Sequence, residues 1–195
     1  MNAVVGIVER NKKIRDLIQC YLDLQNELSC PVAVDTIEEL LEYLEDNKKP
    51  DVILVDTFNI KGIKLIKKNY PEIEIIGLTV FNNPNEIFDA LCAGASGYLL
   101  KHTPLSKIKE FITGMDEGCS NMSPQIARKI MDYFKENGSR QNSLASLTLK
   151  EYNIVKGIVD GLSPKMIMER YEISANRVGF HIYEIYKKLN NNVRK

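Results

Sequence analysis

Five short apolar segments alternate with segments of helical periodicity along residues 1–116, and this alternation constrains the fold more than any other feature of the chain. The apolar segments lie at residues 3–8, 31–34, 52–55, 73–79 and 97–100. Continuous runs rich in Val, Ile and Leu are typical of strands that a parallel sheet buries on both faces. Between them, apolar residues recur three and four positions apart, as at Ile14, Leu17, Ile18, Tyr21 and Leu22. Five such β-α repeats predict an α/β fold with a doubly wound parallel five-stranded sheet.

Charge is balanced over the chain but unevenly distributed along it. The 195 residues carry 26 Lys or Arg and 26 Asp or Glu, yet residues 147–195 have a net charge of +4 and residues 1–146 a net charge of −4. A basic C-terminal part beside an acidic N-terminal part favours a polyanionic partner for the former. No run of about 18 apolar residues occurs, and the N-terminus lacks the pattern of a signal peptide. We therefore expect a cytoplasmic protein that does not contact a membrane.

The cysteines and histidines do not suggest a metal site. The chain contains Cys20, Cys30, Cys92 and Cys119, without a CxxC pair, and only two histidines, His102 and His181. Neither a zinc site nor a disulfide framework is expected from this spacing, and the cysteines are interpreted as reduced and mostly buried thiols.

Polar residues follow four of the five predicted strands. Glu9 follows the first strand, Asp56 the third, Thr79 ends the fourth and Lys101 follows the fifth. With a strand order of 2-1-3-4-5, these four ends converge on one crevice. A carboxylate pair, a hydroxyl and an ammonium group suit a phosphoryl group, which Asp56 can accept as a nucleophile. The alternative is that all four are ordinary polar residues at strand ends.

The C-terminal part is predicted to be helical. Residues 123–134 predict a helix capped by Ser123, and residues 135–143 are polar and predict a flexible linker. Thr148 and Glu151 form a capping box that opens the next helix, which ends at Gly161. Two further helices follow, one opened by Ser163 and Pro164 and one running from Ser174 to about Leu189. Short helices that meet across a tight turn predict a helix-turn-helix.

The last of these helices has two distinct faces. Its apolar stripe comprises Val178, Ile182, Ile185 and Leu189. The opposite face carries Asn176, Phe180, Tyr183 and Lys187. We expect this face to enter the major groove of duplex DNA, with Asn176 reading adenine and Phe180 contacting a thymine methyl group. Tyr183, Arg177 and Lys187, together with Lys165 on the preceding helix, suit phosphate oxygens.

Motifs along most of the chain resemble a known family. PDVILVD (50–56), LTVFNN (78–83) and AGASGYLLKHTP (93–104) resemble the receiver domain of bacterial two-component response regulators. LTLKE (147–151), GLSPKMI (161–167) and IS..RV..HI..IYKKL (173–189) resemble the LuxR-type output domain. The resemblance implies a flavodoxin-like receiver domain at 1–120, a helical linker at 121–146 and a LuxR-type helix-turn-helix at 147–195.

The resemblance also implies a function and roles for individual residues. The chain is expected to be a transcription regulator, not an enzyme, that binds duplex DNA as a homodimer. A sensor histidine kinase would phosphorylate Asp56, Lys101 would contact the phosphate, and Thr79 and Tyr98 would form the switch pair.

Several positions depart from the family pattern. The family has two acids after the first strand, where this chain has Glu9 and Arg10. Glu9 and Asp56 are the candidate ligands of Mg²⁺, and we expect Arg10 to impair its binding and thus phosphorylation. The loop after Asp56 reads TFNIKG, which lacks the usual proline and has Gly62 two residues early. Gly179 replaces a lysine that contacts DNA in the family, and the chain ends at Lys195, where the family continues into a dimerisation helix.

Two alternatives to a DNA-binding regulator belong to other classes of function. A nucleotide-binding domain or flavodoxin-like enzyme is disfavoured, because VERNKK follows the first strand instead of a glycine-rich phosphate loop. A phosphorylation-independent protein-interaction adaptor, whose helix-turn-helix no longer binds DNA, is the remaining alternative. Salt-dependent binding to duplex DNA would distinguish it from a regulator.

Overall fold

A computed structural model of the protein describes residues 3–57, 59–80, 83–114, 122–137 and 147–193. The N-terminal elements are β1 (Ala3–Val8), α1 (Lys12–Asp23), β2 (Leu28–Val34), α2 (Ile37–Asp46), β3 (Val52–Asp56), α3 (Ile60–Asn69), β4 (Glu74–Thr79), α4 (Pro84–Ala93), β5 (Gly97–Leu100) and α5 (Leu105–Thr113). The C-terminal elements are α6 (Pro124–Asn137), α7 (Leu149–Val159), α8 (Pro164–Tyr171) and α9 (Ala175–Val193).

The five strands form one parallel sheet in the order β2-β1-β3-β4-β5. This confirms the predicted architecture and brings the carboxyl ends of β1, β3, β4 and β5 to one edge. The second strand begins at Leu28, three residues before the predicted segment. Its first residues pair with β1, Ala3 opposite Leu28 and Val4 opposite Ser29. Ser29 and Cys30 interrupt the apolar run, so that hydrophobicity alone did not reveal this extension.

Helices cover both faces of the sheet. On one face, α1 and α5 bury Ile18, Leu22 and Phe111 against the strands. On the other, α2, α3 and α4 contribute residues such as Leu40, Ile66 and Ile87. The predicted stripe of α1 was wrong at Leu17, which is exposed, because the helix rests on the sheet through Ile18 and Leu22 instead.

Gly62 allows α3 to approach α2 closely. A Cβ atom at this position would collide with the side chain of Ile37, the first residue of α2, and would lie 2.6 Å from Asn59 Oδ1. The Gly62 N–H also donates to Asn59 Oδ1 over 2.9 Å, which caps α3. The glycine of the atypical loop therefore has a packing role that comparison with the family pattern does not reveal.

The C-terminal helices follow the predicted start and stop signals. Thr148 and Glu151 form the capping box of α7, Ser163 caps α8 ahead of Pro164, and Gly161 adopts a φ of +81° after α7. Two boundaries differ from the prediction. Helix α6 continues to Asn137, so residues 135–137 are helical and not part of a linker, whereas 138–143 lie outside the described residues. Helix α9 continues to Val193, beyond the expected end near Leu189.

The sheet domain and the helix-turn-helix share one apolar core. Helix α4 packs against both α6 and α9, and α6 packs against α7. Tyr98 of β5, Phe134 of α6 and Tyr186 of α9 belong to the same cluster of buried side chains. The C-terminal half of α9 is therefore docked on the sheet domain. Within the described parts of the chain, no helix is long and apolar enough to cross a membrane.

Of the three cysteines that are described, Cys30 is buried as predicted and Cys92 is half-buried. Burial raises the pKa of the Cys30 and Cys92 thiols to about 12. Cys20 is exposed on α1, contrary to the expected burial, because it lies on the solvent side of the helix. Cys119 lies outside the described residues.

Candidate functional site

Three of the four polar residues at the strand ends meet through one ammonium group. Lys101 Nζ lies 2.6 Å from Glu9 Oε2 and 2.6 Å from Asp56 Oδ2. The side chain of Glu9 is 1% exposed, that of Lys101 8% and that of Asp56 16%. Thr79 is fully buried at the same edge, and its carbonyl accepts a hydrogen bond from the Lys101 N–H over 2.7 Å. Asp56 is the member of this cluster that remains most accessible to an incoming group.

The two carboxylates keep Lys101 charged. Burial by itself would lower the pKa of Lys101, but hydrogen bonds to Asp56 and Glu9, and their negative charges, outweigh this effect and raise it. Glu9 is held on its other side as well, because Glu9 Oε1 accepts from the Asn11 N–H over 2.8 Å. The ammonium group thus balances part of the negative charge in the pocket.

A cavity of about 170 Å³ adjoins Asp56. It is lined by Val8, Arg10, Asp35, Asp56 and Asn59. Arg10 is exposed at its rim, and the ion pairs of Asp56 and Glu9 that the structure describes are made by Lys101. Asp35 and Asn59 were missed in the sequence. Asp35 directly follows β2. The end of β2 is the one strand end that was not considered in the sequence, and including it would have identified Asp35.

The carboxylates nearest to Asp56 are partly engaged by Lys101. Among the described residues, no three Asp, Glu, His or Cys side chains are grouped so that they hold a metal ion together. Both Glu9 and Asp56 direct a carboxylate oxygen to Lys101, and Arg10 and Asp35 line the same cavity as Asp56.

Tyr98 does not point towards this cluster. It pairs with Gly77 on β4, whereas Thr79 pairs with Leu100. The Tyr98 hydroxyl accepts a hydrogen bond from the backbone N–H of Ser123, just before α6, over 3.1 Å. Burial raises the pKa of Tyr186 on α9 well above its ordinary value, and the nearby Tyr98 makes a smaller contribution in the same direction. The structure thus brings Tyr98 to the helix-turn-helix.

Most of the predicted DNA-contacting residues lie on the accessible surface of the C-terminal helices. Lys165, Asn176, Arg177, Phe180 and Lys187 are exposed, Phe180 to 47%. The predicted apolar stripe of Val178, Ile182, Ile185 and Leu189 is buried. The two faces of α9 therefore lie as the periodicity indicated.

Tyr183 differs from its neighbours on this face. It is half-buried, and its hydroxyl donates a hydrogen bond to Glu74 Oε1 at the start of β4 over 2.6 Å. Lys187 Nζ lies 4.3 Å from the centre of the Tyr183 ring and 3.7 Å from Glu184 Oε1. The predicted DNA-binding face is thus partly engaged by the sheet domain.

The chain matches two families, one in each of its two parts. Residues 5–113 match the response regulator receiver domain, and residues 145–195 match the luxR family of bacterial regulatory proteins. The nitrate/nitrite response regulator protein homolog of Haemophilus influenzae is 34% identical over 147 residues, covering 72% of this chain and 68% of that protein. Response regulator protein VraR of Staphylococcus aureus is 27% identical over 194 residues, covering 97% and 91% of the two chains.

The fold is also similar to that of solved structures. A structure of two RcsB dimers bound to two parallel DNAs matches with a TM-score of 0.59 and 17% identity, covering 100% of this chain and 98% of that chain. At this identity the likeness supports the fold: a doubly wound receiver followed by a small helical domain.

Proposed function

Because the chain belongs to the LuxR-family response regulators, we propose that its receiver domain controls transcription by controlling the contact of α9 with duplex DNA. The observation that carries this proposal is the exposed face of α9, where Asn176, Arg177 and Phe180 lie side by side. An α-helix with such a face fits the major groove. Asn176 and Phe180 are assigned to base edges, and Arg177, Lys165, Lys187 and Tyr183 to phosphates.

Salt-dependent DNA binding tests this assignment. Arg177→Ala and Lys187→Ala should weaken binding to all duplexes, and each should reduce the slope of log affinity against log salt by about one unit per lost phosphate contact. Lys156→Ala, which removes the same charge from an exposed position of α7, is the control and should leave the slope unchanged. Equal slopes for all four proteins would remove α9 from the DNA interface.

We further propose that the protein binds DNA as a homodimer and receives its signal from a sensor histidine kinase. Response regulators of this family bind DNA and are phosphorylated by such kinases. RcsB, which has the same fold, forms dimers on DNA. Asp56 is the proposed phosphoacceptor, Lys101 the residue that contacts the phosphate, and Thr79 and Tyr98 the switch pair.

The proposed receiver pocket binds Mg²⁺ weakly and is phosphorylated slowly or not at all. Receiver domains ordinarily use Mg²⁺ in phosphorylation. Here Lys101 already pairs with Glu9 and Asp56, and Arg10 adds a second positive charge at the rim. A phosphoryl group adds about −1.5 to −2 charges near neutral pH, so these two cations are its proposed counter-charges. We expect the phosphorylated fraction of the protein to contribute little to regulation. Regulation is then expected to depend on the concentration of the protein or on a partner.

Metal titration of a charge-reversal variant tests this proposal. Arg10→Asp should raise Mg²⁺ affinity at least about tenfold, equivalent to about 1.4 kcal/mol, as measured by calorimetry. Lys13→Asp makes the same charge change on the exposed start of α1 and should have little effect. Intact mass after exposure to a small phosphodonor with Mg²⁺ should show little adduct in the unaltered protein. Sub-millimolar Mg²⁺ affinity, or rapid stoichiometric phosphorylation of Asp56, would contradict the proposal.

A further inference from the structure

Glu74 connects the receiver domain to the proposed DNA-binding face. It is the first residue of β4 and therefore lies at the opposite end of the sheet from Asp56. Its Oε1 accepts the hydroxyl proton of Tyr183 over 2.6 Å. Its Oε2 accepts a hydrogen bond from Ser96 Oγ, and Lys67 Nζ lies 3.8 Å away. Two receiver residues thus hold the carboxylate in position beneath α9.

We propose that Glu74 is a positioning residue that takes the place of a DNA phosphate oxygen at the Tyr183 hydroxyl, so that the receiver domain and duplex DNA compete for α9. This inference rests on the proposed DNA-binding function. A phenol has a single O–H donor. While Tyr183 donates to Glu74, it has no proton left to donate to a phosphate oxygen.

Charge strengthens the competition. A hydrogen bond to a carboxylate is shorter and stronger than one between neutral groups, as is a bond to a phosphate, so the two acceptors are comparable. The negative charge of Glu74 would also repel a DNA backbone that approached Tyr183 while the carboxylate remained beside it. Duplex DNA therefore has to displace Glu74 and cannot bind alongside it at this position.

The rest of the docked surface makes this displacement a movement of the whole helix. Tyr186, one turn further along α9, is fully buried against the receiver. Asn190 Nδ2 donates to the carbonyl oxygen of Ala95 over 3.5 Å. Phe180 and Arg177, in the N-terminal half of α9, remain exposed. The docked arrangement thus leaves the N-terminal end of the DNA-binding face accessible to solvent, whereas the receiver domain partly covers its centre.

A conservative substitution in the full-length protein tests the proposal. Glu74→Gln keeps the shape but removes the charge, which weakens the bond to Tyr183 by about 1.4 kcal/mol or a factor of ten. We expect about tenfold tighter binding of a duplex at fixed salt, and faster hydrogen exchange in the C-terminal half of α9 without DNA. Glu72→Gln makes the same change in net charge two residues away, at an exposed side chain paired with Lys49, and should reproduce neither effect.

A second variant separates competition from simple loosening of the docked arrangement. Tyr183→Phe removes the hydroxyl and should accelerate exchange as Glu74→Gln does, but without tighter DNA binding, because the phosphate contact is lost as well. If the unaltered protein binds DNA and Glu74→Gln changes neither affinity nor exchange, the proposal is overturned while DNA binding stands. If no variant binds DNA at low salt although Glu74→Gln accelerates exchange, the proposed function fails and the competition with it.

Discussion

Glu151 shows how a single buried side chain connects two helices of the output domain. Its Oε2 accepts the N–H of Thr148 and the ammonium group of Lys188, each over 2.6 Å. Burial would raise the pKa of Glu151, but these hydrogen bonds, together with the charge of Lys188, outweigh it and lower the pKa below 4.5. The carboxylate therefore contributes stability above pH 4.5, and this contribution is lost as the pH falls through the lowered pKa.

Removing the charge of Glu151 should destabilise the output domain. We expect Glu151→Gln to lower the free energy of unfolding by about 2 kcal/mol near neutral pH, because the bond to Lys188 loses its ionic character. The difference from the unaltered protein should shrink as the pH falls below 4.5, which thermal melting at several pH values would show. Glu184→Gln, which alters a more exposed and longer pair with Lys187, should cost less than about 0.5 kcal/mol. Equal losses for both variants would contradict this interpretation.

Gly62 and Gly161 are glycines for different reasons. Gly62→Ala would place a methyl group against Ile37 and should cost about 1 to 3 kcal/mol, as overpacking does. Gly161 has open space around its Cβ position but a φ of +81°, so Gly161→Ala is strained, whereas Gly161→Asn should be better tolerated. For Gly62, denaturant unfolding of Gly62→Ala with and without Ile37→Ala measures how much of the cost comes from the contact with Ile37. Failure of Ile37→Ala to relieve any of the cost at position 62 would exclude the contact with Ile37 as its origin.

At the scale of elements, α9 combines three surfaces in one helix. Its apolar stripe packs within the output domain, its C-terminal half docks on α4, and its N-terminal half presents Asn176, Arg177 and Phe180 to solvent. Exposure along the helix therefore separates residues that maintain the fold from residues that are available to a partner.

Truncation of two apolar residues of α9, one exposed and one buried, should affect different properties of the protein. Phe180→Ala should leave the melting temperature nearly unchanged, because the side chain is 47% exposed, but should reduce discrimination between duplex sequences by about 1 to 3 kcal/mol. Ile182→Ala, which truncates a buried side chain, should cost about 2 to 5 kcal/mol of stability. Competition binding with duplexes of different sequence measures the first effect. Unchanged discrimination by Phe180→Ala would remove this residue from base recognition.

At the scale of the whole molecule, α6 forms part of the contact between the receiver and output domains. It buries Ile126, Ile130 and Phe134 between α4 and α7. The Ser123 N–H donates to Tyr98 of the receiver domain immediately before the helix begins. Tyr98 therefore contacts the segment that leads to the output domain directly.

Limited proteolysis should reflect this organisation. Residues 138–143, GSRQNS, are glycine and polar residues, and we expect the first cuts there and not within α6, whose apolar face is buried. The products should be a receiver-sized fragment that retains α6 and a small basic fragment, both identifiable by mass. First cuts within 1–116, or between 124 and 137, would contradict the proposed domain boundaries.

The sequence by itself determined the alternation of strands and helices and, for a strand order of 2-1-3-4-5, the cluster at the edge of the sheet. Buried parallel strands and amphipathic helices have periods that can be counted, and a parallel sheet brings its carboxyl ends together whatever the loops contain. Glu9, Asp56 and Lys101 were therefore predictable as neighbours, and so were the two faces of α9.

Only the tertiary structure decided how the two domains meet. The Tyr98–Ser123 contact joins positions 25 residues apart, and the Tyr183–Glu74 contact joins positions 109 apart. Periodicity shows that α4, α6 and α9 each have an apolar face, but not which faces meet or at what angle, because apolar burial has no direction of its own. Polar partners such as Glu74 and Tyr183 are brought together only after packing has fixed that angle.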